Sequence, residues 1–284
     1  MTVPWRDRRG RFLPLKAAVL VAVFVPGAVS AFWWATSALG GRPVTELIHN
    51  SGLWTIRFLL LALAVTPLRA TLNWGGLLLV RRTLGVTAFA YAVAHFCLYI
   101  VDQNGWLLVV ASEILHRFYL TIGFSALLGL TALAVTSTDG AMRRMRRWWK
   151  RLHRLTYLVG LLALLHYFIQ SKANVSEPVF VSGLFVWLML WRILPASWQQ
   201  QVALYPLLAV LAAMSAASIE YVWYSLATHV NASRVLAANE TLSFGLRPAH
   251  LVLLTTLGLS IVIGVRRITP SLRLRQRISA MRVG

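Results

Sequence analysis

Charge is what this sequence has least of. Only 13% of its 284 residues are charged, where soluble domains carry about 25%. Acids are scarcest, with 8 Asp and Glu against 28 Lys and Arg. Cysteine occurs once, at Cys97. One thiol excludes an intrachain disulfide. It also excludes a cysteine-held iron–sulfur cluster, which takes about four thiolates. No G-x-G-x-x-G follows a strand pattern, and there is no P-loop. No polar stretch is long enough for a nicotinamide or flavin dehydrogenase domain, so electrons handled here must come from a separate donor. Gly/Ser linkers, low-complexity tracts and clear internal repeats are also missing.

What is present is hydrocarbon. Hydrophobic residues make up 58% of the chain, in long apolar runs between short basic clusters. That pattern predicts an all-α, polytopic membrane helical bundle. A crossing helix needs about 20 residues. About eight transmembrane helices are expected, near 15–35, 52–67, 84–101, 118–136, 153–170, 178–194, 203–225 and 249–265. Segment 106–115, "WLLVVASEIL", is too short to cross and reads as interfacial. The start "MTVPWRDRRGRFLPLK" has the basic character of a signal n-region, but the long apolar run after it reads as a retained first span.

A net charge of +20 would suggest nucleic acid in a soluble protein. Membrane topology accounts for it better, and no nucleic-acid partner is expected. With the N-terminus inside, the inside segments hold Arg6, Arg8, Arg9, Arg11, Lys16, Arg69, Arg81, Arg82, the run Arg143 to Arg154, Arg192, and Arg266 to Arg282. That is 22 of the 28 basic residues. The bias predicts an N-in, C-in protein whose basic face lies against anionic lipid of the bilayer. The tryptophans, among them Trp33, Trp34, Trp148, Trp149 and Trp191, cluster at span ends as an aromatic belt.

Imidazole is poorly tolerated in hydrocarbon unless something pairs with it. His49, His116, His229 and His250 fall at outside ends or loops, and His153 at the inner edge of span five. His95 and His166 lie within apolar sequence. At a helical rise of ~1.5 Å per residue they sit roughly 16 and 20 Å from the inner face. Both spans run inside to outside, so the two rings can meet in the outer half of the bilayer. A b-type heme needs two axial ligands from two elements, and neutral imidazole is a good one. Small residues on the same spans (Gly85, Ala92, Ala94, Gly160, Ala163) would ease the approach of a flat ring. Hydrogen bonding to a neighbouring helix, a metal-transport site and a proton relay are the alternatives.

His153 is thirteen residues from His166, about 3.6 turns, so the two do not share a face of a regular helix. Either the helix is irregular, near Gly160, or the two serve different neighbours. His153 is a candidate for a second heme with a different axial partner, or for a flavin hydrogen bond; the plain alternative is a headgroup position. Arg57, in "SGLWTIRFLLLAL", is a candidate partner for a heme propionate or a snorkelling cation. Arg81 and Arg82, with the basic run after Arg143, are topology anchors or a flavin phosphate site. Cys97, two residues from His95, points elsewhere and reads as packing.

The segments "TIRFLLLALAVTPLR", "RRTLGVTAFAYAVAHFCLY", "RFYLTIGF", "LAVTSTDGAMRRM" and "WKRLHRLTYLVGLLALLHYFIQSK" resemble the ferric-reductase-like transmembrane family. Within it, the likeness is strongest to heme-binding subunits of periplasmic methionine sulfoxide reductase systems. The resemblance covers about residues 15–195. It implies a six-span heme-binding domain over 1–195 and two additional C-terminal spans with an outside loop over 196–284. It further implies an electron-transfer subunit in the bacterial inner membrane that binds heme b, one or two, and FMN. Electrons would come from quinone or a cytosolic flavin reductase. They would go to a periplasmic molybdopterin-dependent reductase, MsrP, which repairs oxidised envelope proteins. The subunit itself would be non-catalytic. The family's heme histidines match His95, His153 and His166. A ferric or other metal reductase of the same fold, and a cofactor-free transporter, are the competing functions.

Overall fold

Among the described residues the chain forms thirteen α-helices and no strand. The computed structural model describes residue 5 and residues 10–172, 174–243 and 245–283, with side chains up to residue 267. In order the helices are α1 (Pro14–Ala22), α2 (Val25–Ala35), α3 (Pro43–Leu72), α4 (Leu78–Asp102), α5 (Leu107–His116), α6 (Phe118–Val135) and α7 (Asp139–Met145). After these come α8 (Arg147–Leu152), α9 (Leu155–Ser171), α10 (Ser176–Ile193), α11 (Leu204–Ala227), α12 (Ala232–Ala238) and α13 (Pro248–Val283). Eight segments are long and apolar enough to cross a membrane: α1 with α2, then α3, α4, α6, α8 with α9, α10, α11, and Pro248–Arg267 of α13. The chain is a multi-pass, all-α membrane protein, as the apolar runs predict. Arg6, Arg8 and Arg9 of the basic inside set lie outside the described residues.

Local chemistry sets the helix ends. The second span begins at Pro43 rather than near residue 52, because proline at the first helical position needs no N–H partner. Ser37, Asn73 and Asn104 take positive φ where α2, α3 and α4 stop. In each case the next N–H turns back on the helix: Ala38 to the Trp33 carbonyl at 2.9 Å, Trp74 to Arg69 at 3.2 Å, Gly105 to Ile100 at 2.9 Å. These are left-handed caps of the Schellman kind. The 106–115 run forms α5, ten residues long, too short to span.

The first span is broken. Pro26 at the start of α2 removes a ladder donor, and the helix parts at Val23–Phe24. The hydroxyl of Tyr91, from α4, fills the gap. It accepts from the Gly27 N–H at 2.9 Å and donates to the Val23 carbonyl at 2.9 Å. One phenol thus replaces a missing backbone rung, in a setting where unsatisfied polar groups are expensive.

Packing divides the chain into two units. The first comprises 1–65 and 76–170. Its core joins Val23, Phe58, Val80, Ala88, Leu130 and Val159. The second comprises 66–75 and 171–284, where α10, α11 and α13 pack on one another. Gly183 makes that approach close: a Cβ there would lie 2.5 Å from Val252 Cγ2 and 3.1 Å from Ala216 Cβ. Leu61, Leu128, Leu165, Leu207, Met214 and Ile261 are exposed, as lipid-facing side chains of membrane helices are.

Candidate functional site

In the first unit, α4 carries His95 and α9 carries His166. Their ring centres are 6.3 Å apart and the ring planes stand at 85°. Both rings are part-buried and make the same hydrogen bond. His95 Nδ1 lies 2.8 Å from the carbonyl of Ile48 on α3. His166 Nδ1 lies 2.8 Å from the carbonyl of Tyr119 on α6. A carbonyl only accepts, so each Nδ1 carries the proton and each Nε2 keeps its lone pair. This is the usual way a protein fixes the tautomer of a metal-ligating histidine.

A glycine stands opposite each ring. A Cβ on Gly52 would lie 3.0 Å from Nδ1 and 3.1 Å from Cε1 of His95. A Cβ on Gly123 would lie 2.8 Å from both Nδ1 and Cε1 of His166. The accepting carbonyl is four residues before the glycine in both helices. Donor and acceptor are 47 residues apart in both hydrogen bonds. The α3–α4 hairpin is therefore repeated by α6 and α9, although no repeat is visible in residue identity. Phe96 and Phe124, next to His95 and Gly123, bring their rings to 5.7 Å, and Tyr119 lies against His166 at 6.3 Å.

The arrangement can hold a planar metal macrocycle by two axial bonds. Two imidazoles on one iron have ring centres roughly 6 Å apart, given metal–nitrogen bonds of about 2.0–2.1 Å. The observed spacing fits that requirement. Among the described residues no three of His, Cys, Asp and Glu gather into a metal cage. A metal held by this pair would have two protein ligands, which suits axial ligation better than a tetrahedral site.

The other candidates lie elsewhere. His153 closes α8 just before the chain turns into α9, so the irregularity between it and His166 is at 153–154 and not at Gly160. Its Nδ1 is 3.1 Å from the Trp149 carbonyl and its Nε2 is 3.4 Å from Ser137 Oγ. Its ring stacks on Trp149 at 3.8 Å. Arg81 is an electrostatic neighbour. Arg82 Nη1 binds Asp139 at 2.8 Å, in the open. Along α4, Arg82 is thirteen residues from His95, roughly 20 Å at the helical rise, so Arg81 and Arg82 do not join the histidine pair. Arg57 on α3 places its guanidinium 5.0 Å over the Trp54 ring. Cys97 is exposed; it faces outward rather than packing, because it is two residues from His95 on a helix whose inner face His95 occupies.

Sequence reasoning missed Gly52 and Gly123. The small residues of the histidine-bearing spans themselves do not make this room, since a methyl on Gly85 would meet nothing within 4 Å. The available signal was a glycine at equal distance before each histidine.

The ferric reductase like transmembrane component family matches residues 51–164, an interval that holds Gly52, His95 and Gly123 and stops just short of His166. The protein-methionine-sulfoxide reductase heme-binding subunit MsrQ of Xanthomonas campestris pv. campestris (strain 8004) is 44% identical over 185 residues, 63% of this chain and 85% of that protein. MsrQ of Xanthomonas oryzae pv. oryzae (strain MAFF 311018) is 44% identical over 184 residues, 62% of this chain and 84% of that protein. MsrQ of Agrobacterium fabrum is 38% identical over 185 residues, 63% of this chain and 86% of that protein. No solved structure matches. With identity at this level along most of the length of its relatives, the chain belongs to the MsrQ family of ferric-reductase-like transmembrane proteins.

Proposed function

We propose that this chain is a membrane electron-transfer subunit that holds heme b between His95 and His166 and serves methionine sulfoxide reduction. The observation that carries the reading is the imidazole pair, 6.3 Å apart, with both Nδ1–H groups bonded to carbonyls. The names of the relatives, heme-binding subunits of a protein-methionine-sulfoxide reductase, support the cofactor and the reaction. Bound heme would supply reversible one-electron chemistry.

The chain's own residues bind and orient. His95 and His166 offer Nε2 lone pairs, held in one tautomer by Ile48 and Tyr119. Arg57 is the nearest basic candidate on α3 for a carboxylate at the edge of the ring. In this reading residues 1–195 carry the electron path and residues 196–284 are an addition to it. The terminal acceptor is a periplasmic molybdopterin-dependent reductase, MsrP; the donor is quinone or a cytosolic flavin reductase. The bias of Lys and Arg supports an N-in, C-in orientation in the bacterial inner membrane, with the histidine pair in the outer half. At the inner end, His153, Arg81 and Arg82 are candidates for FMN or a second heme. Both nitrogens of His153 have protein partners at 3.1 and 3.4 Å, so a ligand role there requires releasing Ser137.

Purified protein should give a b-type spectrum whose Soret band shifts on reduction. His95→Ala and His166→Ala should each remove most of the heme per polypeptide. An unchanged spectrum in both variants ends the assignment. The description of the matched family also favours a second reading, a ferric or other metal reductase. Cells lacking the gene separate the two: lost methionine sulfoxide repair supports the first, and normal repair with lost external metal reduction supports the second.

A further inference from the structure

We propose that Gly52 and Gly123 are positioning residues that set the orientation and electron richness of the two axial imidazoles. The proposal rests on the heme reading above. Both glycines lie inside long helices, where glycine is unfavourable and no positive φ calls for it. Space is the remaining reason to have it. The methyl of an alanine at Gly123 would overlap His166 Nδ1 and Cε1 at 2.8 Å, and one at Gly52 would press on His95 at 3.0 and 3.1 Å. Gly85, Gly140 and Gly258 have nothing within 4 Å of the same position.

The missing side chain lets the imidazole edge lie on the neighbouring helix backbone. There Nδ1 reaches the carbonyl one turn back, which can accept a further donor beside the helix ladder; the Ile48 carbonyl is shared with Ser51 Oγ at 2.9 Å. The histidine N–H bonds the carbonyl at 2.8 Å in both halves. A carbonyl-bonded imidazole is a more basic ligand, which favours the oxidised metal. The glycines thus act on the iron through the histidines, without touching it. The two contacts are unequal, since the ring at Gly123 sits closer than the ring at Gly52, so the α6–α9 half is the more sensitive.

The test uses full-length protein in detergent and compares Gly123→Ala, Gly52→Ala and the open-space control Gly85→Ala. Readouts are heme per polypeptide, spin state, midpoint potential and unfolding temperature. We expect Gly123→Ala to lower heme retention about tenfold or more, the usual size for disturbing a ligand's support. Gly52→Ala should retain more heme, with a raised potential and a high-spin component. Gly85→Ala should match the parent. If both site variants keep the parent's spin state and potential, the proposal is overturned. A lowered unfolding temperature with unchanged potential overturns it too, because that is all a structural role would give. Should Gly123→Ala not accumulate, Gly52→Ala decides the matter by the same readouts. The heme reading itself fails separately, through unchanged spectra in His95→Ala and His166→Ala.

Discussion

Tyr91 illustrates what a single side chain does in this protein. Its hydroxyl stands where a backbone donor and acceptor of the first span would otherwise face hydrocarbon. Tyr91→Phe keeps the ring contact with Phe58, at 5.2 Å, and strands the Gly27 N–H and the Val23 carbonyl. Leaving a polar group unpaired away from water costs about 1–3 kcal/mol, and the hydrocarbon around a span offers no substitute partner. The expected outcome is a lower unfolding temperature in detergent with the spectrum retained, since the hydroxyl touches neither histidine. Loss of the spectrum without loss of stability would contradict this account. At this scale the sequence is partly legible. A histidine in an apolar run is costly and therefore informative, which is why His95 and His166 could be singled out. Tyr91 could not, because its partners lie 64 and 68 residues away and nothing local distinguishes it from a packing aromatic. Gly52 and Gly123 were hidden for the same reason: what a glycine makes room for is supplied by another helix.

Helices in the second unit are tied together by a polar cluster. Glu220 of α11 is buried, with 1% of its side chain exposed, and pairs with Arg247 at 2.6 Å. Its other oxygen accepts from Asn239 Nδ2 at 2.8 Å. His250 accepts the Arg247 N–H at 3.1 Å and donates from Nε2 to the Asn239 carbonyl at 2.9 Å, capping the start of α13. This links α11, α12 and α13. Glu220→Ala leaves the guanidinium without its counter-charge, and removing one partner of a buried pair costs about 3–5 kcal/mol. Arg247 keeps 25% of its side chain exposed, which places the loss toward the lower end of that range. Glu220→Gln retains the Asn239 contact and should lose less. Limited proteolysis of the 228–247 loop and thermal unfolding would measure both. Hydropathy located all eight spans, because each must be apolar for about 20 residues. It missed the break in the first span and the early start of the second, which depend on proline and on a tertiary hydroxyl. The break after α8 falls at 153–154, where the apolar run of the fifth span begins.

Sidedness belongs to the whole molecule. The Lys and Arg bias predicts that the turn after α4 faces outside and the turn after α10 faces inside. With one native cysteine, a Cys97→Ser background is simple to make. In it, Gln103→Cys should react with a membrane-impermeant maleimide in intact cells, and Ser197→Cys only after lysis. The reverse pattern would invert the topology. At this scale the fold class was legible from composition. The duplicated hairpin was not, because it repeats a geometry of glycine, carbonyl and imidazole while the intervening apolar residues are free to vary.

That duplication carries a consequence for biogenesis. One ring arrives with the first hairpin and its counterpart only with the second, at α9. In the heme reading, the nascent chain holds half a clamp while the ribosome is still delivering the earlier spans. If these two rings hold the heme proposed above, cofactor loading would be a late event, gated by insertion of α9 into the bilayer.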